Sequence, residues 1–390
     1  MQVKVDVSNE IINWLMAHVQ IDSLPSQIQE YLHLWSVGKK TPTFNQIERT
    51  SKATGIPLGY FFLQTPPTED LSLVDYRTVD SVVLGNPSRN LIDVMHDMEF
   101  VQEWMRNHLI SEGASTIPFV GAFKQQGNNL AFADSVRQIL NLQNNWFSKT
   151  RNVEDSFRLI RAAISNSGVV IMMSGIVGNN THRSLDINEF RAFTIVDDYT
   201  PLIFINSNDS TSGKLFSLLH EFTHICLGEN NLFNDRYSTG RKVKKAETVC
   251  NSVAAEILVP QVLFSKEWNS VINKMDVKRA IDALSKNFKC GITVIARKAL
   301  DNGFIDYSLY EKMAQLAVKL YNDRCKKQKE GDDGGNFYRT LASRIDQRFF
   351  EMLLNSVAEG KTLYSDAFRL TNTNRTSFVA LTENAGGGLG

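Results

Sequence analysis

Apolar side chains recur at helical spacing through most of the first 65 residues. Ile11, Ile12, Leu15 and Met16 fall on one face, as do Ile28, Tyr31, Leu32 and Trp35, because residues three and four apart in a helix are neighbours. Gly38 breaks the pattern, and Pro42 opens a further segment that places Phe44, Ile47 and Ala53 together. The run from Leu63 to Thr68, with Pro66 and Pro67, reads as a linker, since a residue preceding proline is pushed out of the helical region. Beyond it, Leu91 to Ile110 carries a long amphipathic stripe of Leu91, Val94, Met98, Val101, Met105 and Leu109, and residues 133–142 and 153–166 repeat the helical pattern.

The pattern then shortens. Val169 to Met173, Phe190 to Val196 and Pro201 to Ile205 read as three apolar strands, the last bounded by the turn-prone Asn206-Ser207-Asn208-Asp209. A helix is predicted from about Ser212 to Leu227, capped by Ser or Thr and stopped by Gly228, and another from about Val243 to Leu258, ending at Pro260. The pattern stays helical to about residue 325. Lys326 to Gly335 reads as an exposed linker, two helices follow, and the Gly-rich tail is expected to be disordered.

This order predicts an α+β chain in which a small sheet and its helices are flanked by mainly helical regions. The divisions expected are a helical unit at 1–68, a central domain at 69–265, a helical segment at 266–330 and a C-terminal helical extension at 331–390.

Composition narrows the function. With 390 residues and 43% hydrophobic content the chain can bury a large core, and its 42 basic and 42 acidic residues balance. A globally basic surface for nucleic acid is therefore absent, although a local one is not excluded. The four cysteines, Cys226, Cys250, Cys290 and Cys325, form no C-x-x-C pair, which argues against a disulfide framework and against a cysteine zinc site. The start has no signal-peptide pattern, and no stretch approaches ~18 apolar residues. A cytoplasmic protein without a membrane partner is expected.

One motif carries chemistry: His220-Glu221-Phe222-Thr223-His224, an H-E-x-x-H in a chain with only seven histidines. At about 3.6 residues per turn the two imidazoles project from one helix face and can converge on a metal ion. Leu215, Leu218, Leu219, Phe222 and Ile225 supply the apolar surface that seats the helix. Neutral imidazoles suit Zn²⁺ with one position open to water, and Glu221 stands where a general base is needed. Surface histidines on an ordinary helix are the bland alternative, which the apolar flanks disfavour.

The longer motif with a third histidine is absent, because Leu227 and Asn230 occupy its Gly and His positions. The third ligand is then expected to be a carboxylate on a later helix. Glu247 is favoured, with Asn251 one turn on and placed to hydrogen-bond a ligand. Glu256 is the main competitor, but at about 100° per residue it points to the opposite side of that helix. Glu229, at the end of the motif helix, is poorly placed to turn back. Tyr237, His182 and Arg191 are weaker candidates for an oxyanion donor. Cys226 and Cys250 read as small core residues, and His18, His33, His96 and His108 as structural.

At this point the chain resembles the ImmA/IrrE family of metallopeptidases, on Pro201–Asn206, Phe216–His224 and Glu247–Pro260, with Asp75–Thr78 resembling a segment of its longer members. The likeness covers about residues 75–265. It implies a zincin-like domain whose zinc ligands match His220, His224 and Glu247. It also implies cleavage of repressor or antitoxin-like regulators, often encoded by mobile elements or stress-response operons. Cys250 departs from the pattern, standing where a small residue such as alanine is usual. Trp35 to Pro57 resembles the later helices of a Cro/C1-type helix-turn-helix, though the leading pair is not matched. DNA contact there would fall to Lys39, Lys40, Arg49 and Lys52. Ala283 to Phe304 has a similar cadence, suited to docking or packing.

Two other readings compete with a peptidase: a DNA-binding regulator whose metal site is not catalytic, and a toxin whose partner masks the site. The intact Glu221 favours the enzyme, since a structural zinc needs no base beside it.

Overall fold

The computed structural model describes residues 3–19, 21–67, 87–124, 127–233, 245–330 and 337–386. Helices α1 (Asn9–His18), α2 (Ser26–Ser36) and α3 (Phe44–Thr54) form an N-terminal group, followed by α4 (Arg89–Ser111), α5 (Asn129–Ile139) and α6 (Val153–Asn166). The strands are β1 (Val170–Ser174), β2 (Ile176–Val177), β3 (Asn180–Ser184), β4 (Ala192–Ile195), β5 (Leu202–Asn206) and β6 (Asn231–Phe233). Helix α7 (Thr211–Leu227) lies between β5 and β6, and α8 (Lys245–Leu258), α9 (Gln261–Ile272), α10 (Val277–Phe288), α11 (Ile292–Asp301) and α12 (Tyr307–Glu330) follow. The chain closes on α13 (Phe337–Arg344), α14 (Gln347–Ala358), α15 (Tyr364–Leu370) and α16 (Arg375–Gly386).

The main sheet has the order β1-β5-β4-β6. β1 runs parallel to β5, with Met172 opposite Phe204, while β4 is antiparallel to both β5 and β6. Successive strand residues point to opposite faces, and here both faces are covered. Ile171, Met173, Ala192, Ile203 and Ile205 join the core around α7, while Val170, Met172, Phe193, Phe204 and Ile195 join a second core with α4 and the C-terminal helices. That double covering is why these strands read as continuous apolar runs rather than alternating ones.

Helices α9 to α11 share the core of α7 and α8. Phe264, Trp268, Ile281, Leu284, Phe288 and Ile295 are buried in the same cluster as Leu218, Leu219 and Phe222. The N-terminal helices keep a core of their own, with Ile11, Leu15, Trp35, Ile47 and Phe61 fully or almost fully buried.

The described chain departs from the sequence pattern in three places. Lys326–Glu330 continues α12 instead of forming a linker. Four short helices, not two, follow, because Asp346 caps α14 and Asn372 ends α15 in a left-handed conformation. The β2–β3 hairpin and β6 were not predicted, since β2 and β6 are only two and three residues long and β3, Asn180–Ser184, is polar throughout and so carries no apolar alternation. Asp75–Thr78 and the last four residues lie outside the described residues. No single described helix is long and apolar enough to cross a membrane.

Candidate metal centre

The centre is built on α7. Ser210 caps the helix, its Oγ accepting from the Gly213 amide at 3.0 Å. Gly228 ends it at φ 73°, where a β-carbon would also meet the Cα of Gly121 at 2.9 Å. Two requirements thus fall on one residue, a left-handed turn and a close approach. Between these ends α7 is buried from Leu218 to Leu227, so the two histidines are held among packed neighbours rather than on a surface.

Helix α8 lies against α7 through Cys250, Val253, Ala254 and Ile257, all fully buried. This contact delivers Glu247. Its Oε2 stands 3.3 Å from His220 Nε2 and its Oε1 stands 3.1 Å from His224 Nε2, and the two imidazole nitrogens are 3.2 Å apart. Ligands about 2.0–2.1 Å from a tetrahedral zinc stand about 3.3 Å from one another, so the two imidazole nitrogens and the Glu247 carboxylate are spaced as ligands of one ion. Two imidazoles and one carboxylate are also a donor set that leaves a zinc position open. Among the described residues, no other group of histidine, cysteine or acidic side chains converges in this way. The Glu247 side chain is 24% exposed while His220 is at 0%, so the opening to solvent lies on the Glu247 side.

The electrostatics follow from burial. Burial pushes His220 below its ordinary value, which favours the neutral imidazole that binds metal. Burial opposes the charge on Glu247 too, but its bonds to both histidines prevail and hold it below the usual carboxylate range. Asn251 hydrogen-bonds His220 through its side chain, one turn beyond Glu247 on α8.

Glu221 is fully buried beside this group. Thr194, in the middle of β4, donates its hydroxyl to Glu221 Oε2. Among the described residues Oε1 has no hydrogen-bond partner. Burial raises the Glu221 carboxyl to about 8, against the lowering influence of His224 and Thr194. The sequence did not single out Thr194. Its signal was a hydroxyl in an otherwise apolar strand, where a fully buried polar group needs a partner.

Other candidates fall elsewhere. Glu256 is engaged with Lys298 Nζ and accepts the Gln261 amide at 2.9 Å, away from the imidazoles. Arg191 is paired with Asp209 at 2.8 Å, and His182 is exposed on the hairpin that packs against α4. Tyr237 lies outside the described residues. Cys226, Cys250 and Cys290 are buried thiols whose pKa values burial drives upward, as suits core residues. Of the basic side chains in the N-terminal group, Lys39 and Lys40, between α2 and α3, and Arg49, on α3, are exposed, and Lys52 pairs with Glu48 at 2.6 Å.

Comparison with known proteins agrees with this placement. Residues 165–300, from just before β1 to α11, match a peptidase family described as the IrrE N-terminal-like domain, which supports an ImmA/IrrE-type assignment for that part of the chain. Residues 345–384 match a domain of unknown function, DUF8813. No curated protein matches the chain.

Proposed function

We propose that the chain is a zinc-dependent endopeptidase with a zincin-like centre, in which His220, His224 and Glu247 hold the metal and Glu221 is the general base. The carrying observation is the convergence of the two imidazole nitrogens and the two Glu247 carboxylate oxygens at 3.1–3.3 Å, beside a buried carboxylate with one oxygen left open. When bound, zinc supplies Lewis acidity, which draws the pKa of water from about 15.7 towards ~7 and polarises a carbonyl.

The chain's own residues do the rest. Thr194 fixes Oε2 of Glu221, which leaves Oε1 to take the proton of the attacking water. Once protonated, the Glu221 carboxyl can pass that proton to the leaving amine nitrogen. Asn251 lies against His220, one turn beyond Glu247 on α8.

The substrate class proposed is a repressor or antitoxin-like regulatory protein, met in the cytoplasm. Its support is the resemblance carried by Phe216–His224 and Glu247–Pro260, together with the family match over residues 165–300. The test incubates the purified, zinc-loaded chain with regulators encoded beside it and reads fragments by mass spectrometry. Cleavage by the wild type that disappears in Glu221→Gln supports the reading. Equal cleavage by both proteins overturns it.

A further inference from the structure

Helix α12 packs along α11 and is seated on one side only. Met313 is 2% exposed, Leu309 and Tyr310 pack against the core around α7, and the Tyr321 hydroxyl donates to the Asn208 carbonyl just before α7. These contacts fix which way the helix is turned. Leu309, Met313, Leu316 and Leu320 follow one another at steps of four, three and four residues, the a/d spacing of a coiled-coil seam. The chain's own core covers the first two. The last two are open.

Leu316 is 39% and Leu320 51% exposed, and neither joins any of the three hydrophobic cores. At about 100° per residue, Lys312 and Lys319 flank this open half of the seam and Asp323 ends it. All three are exposed, and among the described residues none of them forms an ion pair. Lys312 and Asp323 lie on the same flank but about 16 Å apart along the axis, too far to pair within one chain.

We propose that the open half of α12 is an interface with a second copy of this chain, the two helices running antiparallel about a two-fold axis midway between Leu316 and Leu320. Leu316 of each copy then meets Leu320 of the other, as the self-complementarity of a two-fold contact requires. The same axis brings Lys312 of one copy level with Asp323 of the other, to within about 1.5 Å along the helix, and does so twice. Like flanks face each other in an antiparallel pair, so both charges gain a partner. A parallel pairing would set the two Asp323 carboxylates against each other in the seam and leave Lys312 without an acidic neighbour. The lysine stems cover the edges of the leucine contact while their ammonium groups stay in water. About two turns of each helix take part, well under the ~1,200 Å² of a standard interface, so the dimer is weak and concentration-dependent. The face uses no residue of the metal centre and stands whether or not the peptidase reading does.

Sedimentation velocity on the full chain, from about 1 to 300 µM, reads the association. A monomer that passes to a dimer with a Kd of about 10–100 µM is expected. Leu316→Glu is expected to stay monomeric throughout while unfolding at the wild-type temperature, since the side chain is outside the cores. Lys312→Asp and Asp323→Lys should each weaken the dimer about five- to tenfold, because every reversed pair occurs twice. The two reversals together should restore the wild-type Kd. A wild-type chain that stays monomeric across the range overturns the proposal. So does a Leu316→Glu chain that dimerises like the wild type, or a double reversal no better than either single one.

Discussion

The Thr194 hydroxyl donates to one oxygen of Glu221 and leaves the other without a partner among the described residues. The two residues sit on different elements, β4 and α7, and both are fully buried. A carboxylate held in this way has one fixed oxygen and one reactive one, which is the orientation a base needs.

Thr194→Val removes that hydroxyl at nearly constant volume. Peptidase activity is expected to fall by about 10–100-fold, the usual cost of losing an outer hydrogen-bond partner, with zinc content unchanged. Thr194→Ser should restore most of the loss. Parallel activity and metal measurements decide it, and an unaffected valine variant would remove the positioning role.

Metal content separates ligands from bystanders. Wild-type protein is expected to carry about one zinc per chain, and His220→Ala and Glu247→Ala to lose it. Asn251→Ala should retain zinc but yield it to a competing chelator at about 10–100-fold lower chelator concentration. A Glu247→Ala protein that holds zinc like the wild type would require a different third ligand.

Glu256 offers the contrasting case. Glu256→Gln breaks the buried pair with Lys298, whose side chain is only 11% exposed, and is expected to cost about 3–5 kcal/mol of stability. Zinc binding should persist in whatever fraction remains folded. Denaturant unfolding and metal analysis of the same sample read both effects, and loss of metal without loss of stability would return Glu256 to the ligand set.

Removing zinc should also loosen the fold. A ligand bound only by the native state stabilises it by about 4 kcal/mol at a thousandfold excess over its dissociation constant. Chelation is therefore expected to lower the unfolding temperature of wild type and to leave His220→Ala unchanged. An equal shift in both would mean the chelator acts elsewhere.

Gly228→Ala tests how α7 ends. Its φ of 73° and the 2.9 Å approach to Gly121 both oppose a β-carbon, and a loss of about 1–3 kcal/mol is expected. Thermal unfolding reads it directly, and a variant as stable as wild type would show that the turn relaxes freely.

Much of the centre was legible in the chain because it is local. The spacing of His220 and His224, the apolar positions around them, the stop at Gly228 and the place of Glu247 in the first turn of α8 depend on helix geometry between near neighbours. The same holds for the three apolar strands, each of which the structure bounds within two residues of its expected ends. The strands β2 and β6 were illegible because segments of two and three residues show no period, and β3 because Asn180–Ser184 is polar throughout.

Which distant faces meet is settled by packing rather than by local periodicity. The packing of α8 on α7 sets Glu247 at 3.1 and 3.3 Å from the imidazoles, and the crossing of α7 over β4 brings Thr194 to Glu221. The engagement of Glu256 with Lys298 takes the competing carboxylate out of the site. Backbone periodicity alone sets His220, Glu221 and His224 side by side, since neighbours on a helix meet without help. The arrival of Glu247 and Thr194 beside them depends on how apolar surfaces far apart in the chain are buried against each other, and that is a property of the packed whole.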